Sequence, residues 1–458
     1  MKMPDGARSI IDTLKNHGYE AFIVGGCVRD MLLERSPEDW DITTSAKPSE
    51  VKKLFRRTVD TGIEHGTVTV LVGSEGYEVT TYRMDGVYED HRHPKEVVFT
   101  PSLEEDLKRR DFTINAMAYS DEAGFVDLFG GRSDLEKGCI RCVGDPNERF
   151  DEDALRMLRG IRFAGQLGFE LDLATFDAIK RLSGTIVNVS AERIRTELSK
   201  LLISDGADRL MLTYETGLSG YFLKEFDMMN STPQNNPHHC YNVGEHSIRV
   251  VEFVNQEINK MNKNGECVDK KTHTALAYAA LLHDVAKPVC KTTDEAGIDH
   301  FHGHDVRGEL LAGQILRRLK FDNDTVSLVK CLVRFHDARY KDLKIAGMRR
   351  LVGKVGRERM PLLFILQKAD VLAQSEYKRE EKLDALKSGM EMYDRICAAS
   401  DAVTVADLAI GGRELIDELG FEPGPGIGAE LKRLLELVMD DPSLNTRERL
   451  LDLSGSGK

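Results

Sequence analysis

The stretch that most constrains this chain runs from Ala21 to Thr43, AFIVGGCVRDMLLERSPEDWDIT. A short apolar run, Phe22 to Val24, breaks at Gly25-Gly26, the pattern of a buried strand turning into a helix. A helix that starts there points backbone N–H groups at whatever lies above the turn. Glycines let a ligand approach the backbone, and a helix start favours negative charge. Gly25, Gly26 and Arg29 together read as a seat for a polyphosphate, although a Gly-Gly turn after a strand is more commonly plain topology. Asp39 and Asp41 shift that balance. Carboxylates at i and i+2 of a strand project from one side and can share divalent cations. Hard oxygen ligands select Mg²⁺, and a two-metal site serves in-line displacement at phosphorus. The alternative is a solvated Asp-x-Asp turn. Glu78, in a strand expected over Tyr77–Tyr82, is either a third carboxylate facing this pair or a surface residue.

A chain of 458 residues exceeds one core, so two to four domains are expected. The N-terminal stretch has no signal-peptide pattern and no apolar run reaches membrane-spanning length, which makes the cytoplasm the expected location. The eight cysteines are scattered, and the one C-x-x-C, Cys139 and Cys142, has no second pair at zinc-finger spacing. Reduced thiols are the simplest expectation. A net charge of −13 runs against nucleic-acid binding unless the basic residues are segregated. Candidate clusters are Lys52, Lys53, Arg56 and Arg57; Lys108, Arg109 and Arg110; and Arg349, Arg350, Lys354, Arg357 and Arg359. Each is equally readable as a solvated helix face.

Downstream, Asp153, Arg156, Arg159 and Arg162 recur at every third position of a strongly helical segment, opposite Leu155, Leu158 and Ile161. Such a stripe is ordinarily a solvated face. An acid followed three residues later by Arg also suits a base edge: the carboxylate accepts from an exocyclic amine while the guanidinium donates to a ring nitrogen. Cytosine and adenine offer that pattern, and uracil and guanine do not.

Gly25-Gly26-Cys27-Val28-Arg29-Asp30 followed by Asp39-Trp40-Asp41-Ile42-Thr43 resembles the signature of class II template-independent nucleotidyltransferases, the CCA-adding enzymes and bacterial poly(A) polymerases. Arg109 to Ala116, RRDFTINA, matches the family's second motif, and Glu152-Asp153-x-x-Arg156 its base-selecting motif. The resemblance implies that Asp39 and Asp41 are catalytic Mg²⁺ ligands. It also implies that Gly26, Arg29, Arg110, Asp153, Arg156, Arg159 and Arg162 bind the nucleotide, with Asp111 on the ribose side. The string from Ser190, SAERIRTEL, matches a motif supporting the nucleotide pocket. A charged loop near Arg83–Phe99, with Asp90 and Arg92, is one that CC-only members lack.

Beyond an Asn/Pro/Ser-rich loop at Asn230–His239 lie His246, the His283-Asp284 pair, His302, His304, His336 and Asp370, whose spread over expected helices resembles an HD-superfamily phosphohydrolase. By that resemblance His246, His283, Asp284 and Asp370 hold one metal, with His304 and His336 supporting a second. This donor set also admits a transition-metal ion. A degenerate HD fold kept for packing is the alternative. Gly424-Pro425-Gly426-Ile427-Gly428 before a helix is either an interhelix turn or, as in the family's tail, a contact for tRNA.

The expected architecture is α+β. A polymerase-beta-type head of mixed sheet and helices spans residues 1–140, an all-α neck 141–230, an HD body 231–390 and a helical tail 391–458. The expected function is addition of CCA to tRNA 3′ ends from CTP and ATP, with a second phosphohydrolase activity and neither membrane nor protein partners. The rivals are an A-adding enzyme or poly(A) polymerase, and an HD phosphohydrolase with an inactive RNA-binding head.

Overall fold

The computed structural model describes residues 3–85 and 97–455, so Asp90 and Arg92 lie outside the described residues. The chain forms two compact units, Met1–Asp227 and Met228–Lys458. Among the described residues, no helix is long and apolar enough to cross a membrane.

The first unit is built on a seven-stranded mixed sheet. Its strands are β1 (Ala21–Val24), β2 (Ile42–Thr44), β3 (Thr58–Gly62), β4 (Thr67–Val72), β5 (Glu75–Thr81), β6 (Met117–Ser120) and β7 (Gly124–Asp127). Their spatial order is β3-β4-β5-β2-β1-β6-β7, and β2 with β5 is a parallel pair among antiparallel neighbours. β1 is buried along its whole length, as its unbroken apolar run demands. Helix α1 (Asp5–Asn16) buries Ala7, Ile10, Ile11 and Leu14, spaced to form one apolar face. α1 covers β1 and β2, while α3 (Pro48–Leu54) covers β4 and β5. α3 ends at Leu54, where Phe55 turns extended. Between them α2 (Gly26–Leu32) leaves the Gly25 turn, and α4 (Leu103–Lys108) precedes the RRD string.

The remainder of this unit is helical apart from two short strand pairs, Arg83–Asp85 with Val97–Phe99 and Cys139–Ile140 with Glu170–Leu171. One expectation fails here: Asp153 does not share a helix with Arg156. α5 (Pro146–Glu152) ends at Asp153, whose backbone is extended, and α6 (Leu155–Leu167) begins two residues later. Nor is the arginine stripe solvated, since Arg156 and Arg162 are buried. α7 (Ala191–Leu202) follows Ser190 and packs against α6. Ser190 has the extended backbone of an N-cap but makes no capping bond with its side chain.

The second unit is almost wholly helical. Its core helix, α9 (Lys270–Leu282), is buried at every position from Ala275 onward, as an all-apolar helix must be. Around it stand α8 (Val243–Lys263), α10 (His304–Arg318), α11 (Asn323–Phe335) and α13 (Met360–Ala373), and α12 (Ile345–Val355) and α14 (Arg379–Ala398) complete the bundle. The C-terminal part gathers Ile410, Leu415, Leu431, Leu434, Val438 and Leu450 into a core of its own. Its main helix, α15 (Pro425–Asp440), starts at Pro425, so Gly426 and Gly428 lie inside its first turn and not in a turn before it.

Candidate functional site

Two groups of side chains stand out, one in each unit. In the first, β2 begins at Ile42, so Asp39 and Asp41 precede the strand instead of lying on it. Asp41 nevertheless stays in line with the sheet, because the Val24 N–H donates to its carbonyl at 3.0 Å. β2 and β5 run parallel with Ile42 beside Val79 and Thr43 beside Thr80. Continuing that register by one residue sets Asp41 beside Glu78. Burial raises the Asp41 carboxyl above its ordinary range, Glu78 and Asp39 raise it further, and Arg110 opposes them. Three carboxylates so gathered, offering hard oxygens and an excess of negative charge, suit a divalent cation.

Arg110 lies against the glycine turn. Gly25 caps α2 at φ 82°, and a Cβ there would stand 3.1 Å from Arg110 Nη1. Only glycine meets both the left-handed backbone and the close guanidinium. Arg110 and Arg109 are oriented by Asp106, which is fully buried and receives Arg109 Nη2 at 2.8 Å, Arg110 Nη2 at 3.3 Å and Thr43 Oγ1 at 3.1 Å. Sequence reasoning missed Asp106, although its i,i+3 and i,i+4 spacing to the two arginines carried the signal. Arg29 is pinned by Asp30, at 2.9 and 3.0 Å, and by Asn115 Oδ1 at 2.9 Å.

A buried ionic chain continues from there. Asp111 accepts from Arg159 Nε at 2.8 Å, from Asn115 Nδ2 at 3.2 Å and from the Phe112 N–H at 2.9 Å. Burial works against its charge, but Arg159 and Arg156 overcome this and hold the carboxyl down at about 2. Glu197 of α7 takes Arg162 Nε at 2.5 Å and lies 3.6 Å from Arg159. The ring of Phe163 faces three guanidiniums, with Arg162 at 3.8 Å and Arg29 and Arg159 each at 5.3 Å. Arg159 and Arg162 are therefore held within this buried ionic chain. Asp153 and Arg156 do not pair with each other. Asp153 receives Arg193 at 2.6 and 3.3 Å and the Leu155 N–H at 3.1 Å. Arg156 reaches Glu152 at 2.5 Å and the carbonyls of Arg109 and Arg149.

In the second unit, His246 on α8, His283 and Asp284 after α9, His304 at the start of α10, His336 after α11 and Asp370 on α13 converge. They form two donor sets. His246, His283 and Asp370 make one, and Asp284, His304 and His336 the other. This redraws the expected grouping, because Asp284 stands between the sets. Its Oδ2 faces His283 Nε2 at 3.1 Å and His246 Nε2 at 3.6 Å, and its Oδ1 faces His304 at 3.5 Å and His336 at 3.7 Å. His302 belongs to neither set.

Three of these histidines point Nδ1 at a backbone carbonyl: His283 at Ala280, His304 at Phe301 and His336 at Val333, all at 2.7–2.8 Å. Nδ1 then carries the proton and Nε2 turns a lone pair inward, the orientation a metal ligand needs. His246 Nδ1 and His283 Nε2 are buried without a hydrogen-bond partner. These residues fit a pair of bound divalent cations. Beside them lies a cavity of about 700 Å³ lined by His238, His239, Lys287, Arg339, Lys378 and Lys382 among others.

The chain matches the family described as Poly A polymerase head domain over residues 21–141. It also matches a probable RNA and SrmB-binding site of polymerase A over 168–229 and an HD domain over 243–375. The mixed-sheet head thus carries the first match, the helices that follow it the second, and the helical bundle of the second unit the third. Beyond these family matches, the chain is similar to CCA-adding enzymes in sequence and in fold. It is 53% identical over 197 residues to a CCA-adding enzyme of Limosilactobacillus reuteri, covering 43% of this chain and 49% of the relative. Identity to a CCA-adding enzyme of Geobacillus thermodenitrificans is 52% over 223 residues, covering 48% of this chain and 55% of the relative. The chain thus spans about half the length of the curated relatives it matches. A solved structure of Bacillus stearothermophilus CCA-adding enzyme in complex with CTP aligns over 100% of this chain and 98% of that one, with a TM-score of 0.73 and 29% identity.

Proposed function

We propose that the first unit adds C, C and A to tRNA 3′ ends, with CTP and ATP as donors. The observation that carries this reading is the gathering of Asp39, Asp41 and Glu78 beside the Gly25-Gly26 turn and Arg110. Asp39 and Asp41 would hold Mg²⁺, with Glu78 as a third acid. Bound Mg²⁺ supplies charge neutralisation at the attacking and leaving oxygens of an in-line displacement. The chain's own residues do the remainder. Gly25 and Gly26 open the backbone to a triphosphate, and Arg110, aimed by Asp106, neutralises it. Asp111 and Asn115 fix Arg159 and Arg29 around the pocket. Asp153 and Arg156 read the edge of cytosine or adenine, where a carbonyl of uracil or guanine would face a carboxylate.

The second unit is read as an HD phosphohydrolase. His246, His283 and Asp370 would hold one cation and Asp284, His304 and His336 the other, Mg²⁺ or a transition-metal ion. The cytoplasm is the setting that tRNA and nucleoside triphosphates imply. To this division of labour we assign domain limits near residues 140, 230 and 390.

The test is to incubate the protein with Mg²⁺ and tRNA transcripts ending before CCA, after C or after CC, supply CTP and ATP singly and together, and sequence the 3′ ends. Full CCA on the shortest transcript, lost in Asp39→Ala, is the expected result. Extension of only the CC-ending transcript would mark an A-adding specialist, long A tails a poly(A) polymerase, and no extension would leave the HD site as the working part.

A further inference from the structure

We infer that the cavity beside the HD donor sets contains a second anion site, formed by Lys378, Lys382 and His238, so that its substrates carry a second phosphate next to the one hydrolysed. The inference rests on reading the donor sets as a phosphoester-hydrolysing centre. The shared chemistry is that of an RNA 3′ end bearing a terminal phosphate or of a nucleoside bisphosphate.

The charges lining the cavity sort into paired and unpaired. Lys287 Nζ is spent on Asp284 at 2.7 Å, Lys341 on Glu381 at 2.6 Å, and Arg339 faces Asp337 at 3.6 Å. Asp299 and Asp305 are taken by Lys291 and Arg334. Lys382 and Lys378 have no carboxylate within ion-pair distance among the described residues. Lys382 is half-buried, and its Nζ donates at 2.5 Å to Gln374 Oε1, a neutral amide. Burying an ammonium without a counter-ion is costly, and that cost is relieved when an anion arrives. Lys378 Nζ sits 5.4 Å over the Tyr377 ring.

Position fits as well as charge. Gln374 donates through Nε2 to Asp370 Oδ1 at 3.0 Å while Oε1 holds Lys382. One amide therefore ties the ammonium to a carboxylate of the donor sets. His238 closes the site. Its ring packs edge-on against Tyr377 at 5.0 Å, and its Nδ1 is buried without a partner. Ser375 N–H donates to its carbonyl at 2.9 Å, and its own N–H donates to Asn236 Oδ1 at 3.0 Å. Burial, then the positive charges of Lys382, Lys378, Arg339 and Lys287, lower the imidazole pKa.

In the hydrolysis, the bond from water oxygen to phosphorus forms, the P–O3′ bond breaks and the 3′ oxygen takes the proton, so no further reactant is needed. The experiment uses the full chain loaded with Mn²⁺ and measures phosphate release from adenosine 3′-monophosphate, adenosine 3′,5′-bisphosphate and a tRNA transcript ending in a 3′-phosphate. The bisphosphate is expected to have a kcat/KM at least about tenfold above the monophosphate, the worth of one charge-assisted contact. The double variant Lys378→Ala/Lys382→Ala should bring that ratio to near one, and Lys382→Arg should preserve it, with thermal melting confirming that both fold. An unchanged ratio in the double variant, with hydrolysis still lost in Asp284→Asn, overturns the second site and spares the phosphohydrolase reading. If no substrate is hydrolysed, that reading falls, and equilibrium dialysis of the bisphosphate decides the site alone: equal affinity of wild type and double variant overturns it. Loss of the transcript's rate in the double variant identifies an RNA end as the source of the second phosphate; loss confined to the bisphosphate identifies a free nucleotide.

Discussion

Arg193 fixes what Asp153 presents to an incoming base. The pair is bidentate at 2.6 and 3.3 Å, and the Leu155 N–H takes up part of the same carboxylate, so Asp153 is oriented before any nucleotide arrives. Removing Arg193 leaves an acid free to rotate and an extended backbone without its anchor. We expect Arg193→Ala to raise KM for both CTP and ATP by about tenfold, one charge-assisted contact's worth, and to increase misincorporation of UTP and GTP. Single-turnover addition with each nucleotide tests this. Unchanged selectivity would mean that Arg193 supports the fold alone. The spacing of Asp153, Arg156, Arg159 and Arg162 was legible in the sequence, but their partners were not. Arg159 pairs with Asp111, 48 positions upstream, and Arg162 with Glu197, 35 positions downstream. Such pairings follow from tertiary packing, with Glu197 on α7 against α6 and Asp111 just after α4, which no local pattern encodes. The same holds for Glu78, whose place beside Asp41 follows from the β2–β5 register.

At the scale of elements, β1 follows the sequence expectation because its unbroken apolar run fixes it. Sequence expectation fails where a side chain overrides the period. No Gly or Pro marks the break between α5 and α6. The break follows from Asp153, whose Oδ1 accepts from the Leu155 N–H as a helix-starting acid does. The glycines of α15 present the opposite case: Gly424, Gly426 and Gly428 are exposed, and a Cβ on any of them would meet nothing within 4 Å. Gly426 and Gly428 therefore weaken the first turn of α15 with no packing reason inside the chain, which points to close approach by an external partner. If tRNA is that partner, Gly428→Ala should stabilise the tail by about 0.5–1 kcal/mol while weakening tRNA binding several-fold. Thermal melting and filter binding read the two effects separately, and unaltered tRNA affinity would remove the tail glycines from the RNA surface.

For the whole molecule, the question is how a chain of net charge −13 holds a polyanion. Part of each basic cluster visible in the sequence is consumed by the fold. Arg109 and Arg110 answer to Asp106, Lys52 to Asp60, Arg349 to Asp401 and the Met439 carbonyl, and Arg350 to Glu436 and Asp440. Arg349 is buried and works as a structural tie. A surface so neutralised releases few counter-ions when RNA binds, so recognition must lean on shape and a small number of backbone contacts. Plotting log Kd for tRNA against log salt should therefore give a slope of only about 2–4, against roughly 7 or more for a protein using ten phosphate contacts on a single strand. The measurement is best made with Ca²⁺ in place of Mg²⁺, so that binding is read without turnover. A steep slope would mean that Lys and Arg side chains now paired within the fold exchange their carboxylates for phosphates on binding. The ion pairs at Arg350 and Lys52 would then be the first to substitute, one at a time, and the loss of slope per substitution would count the contacts.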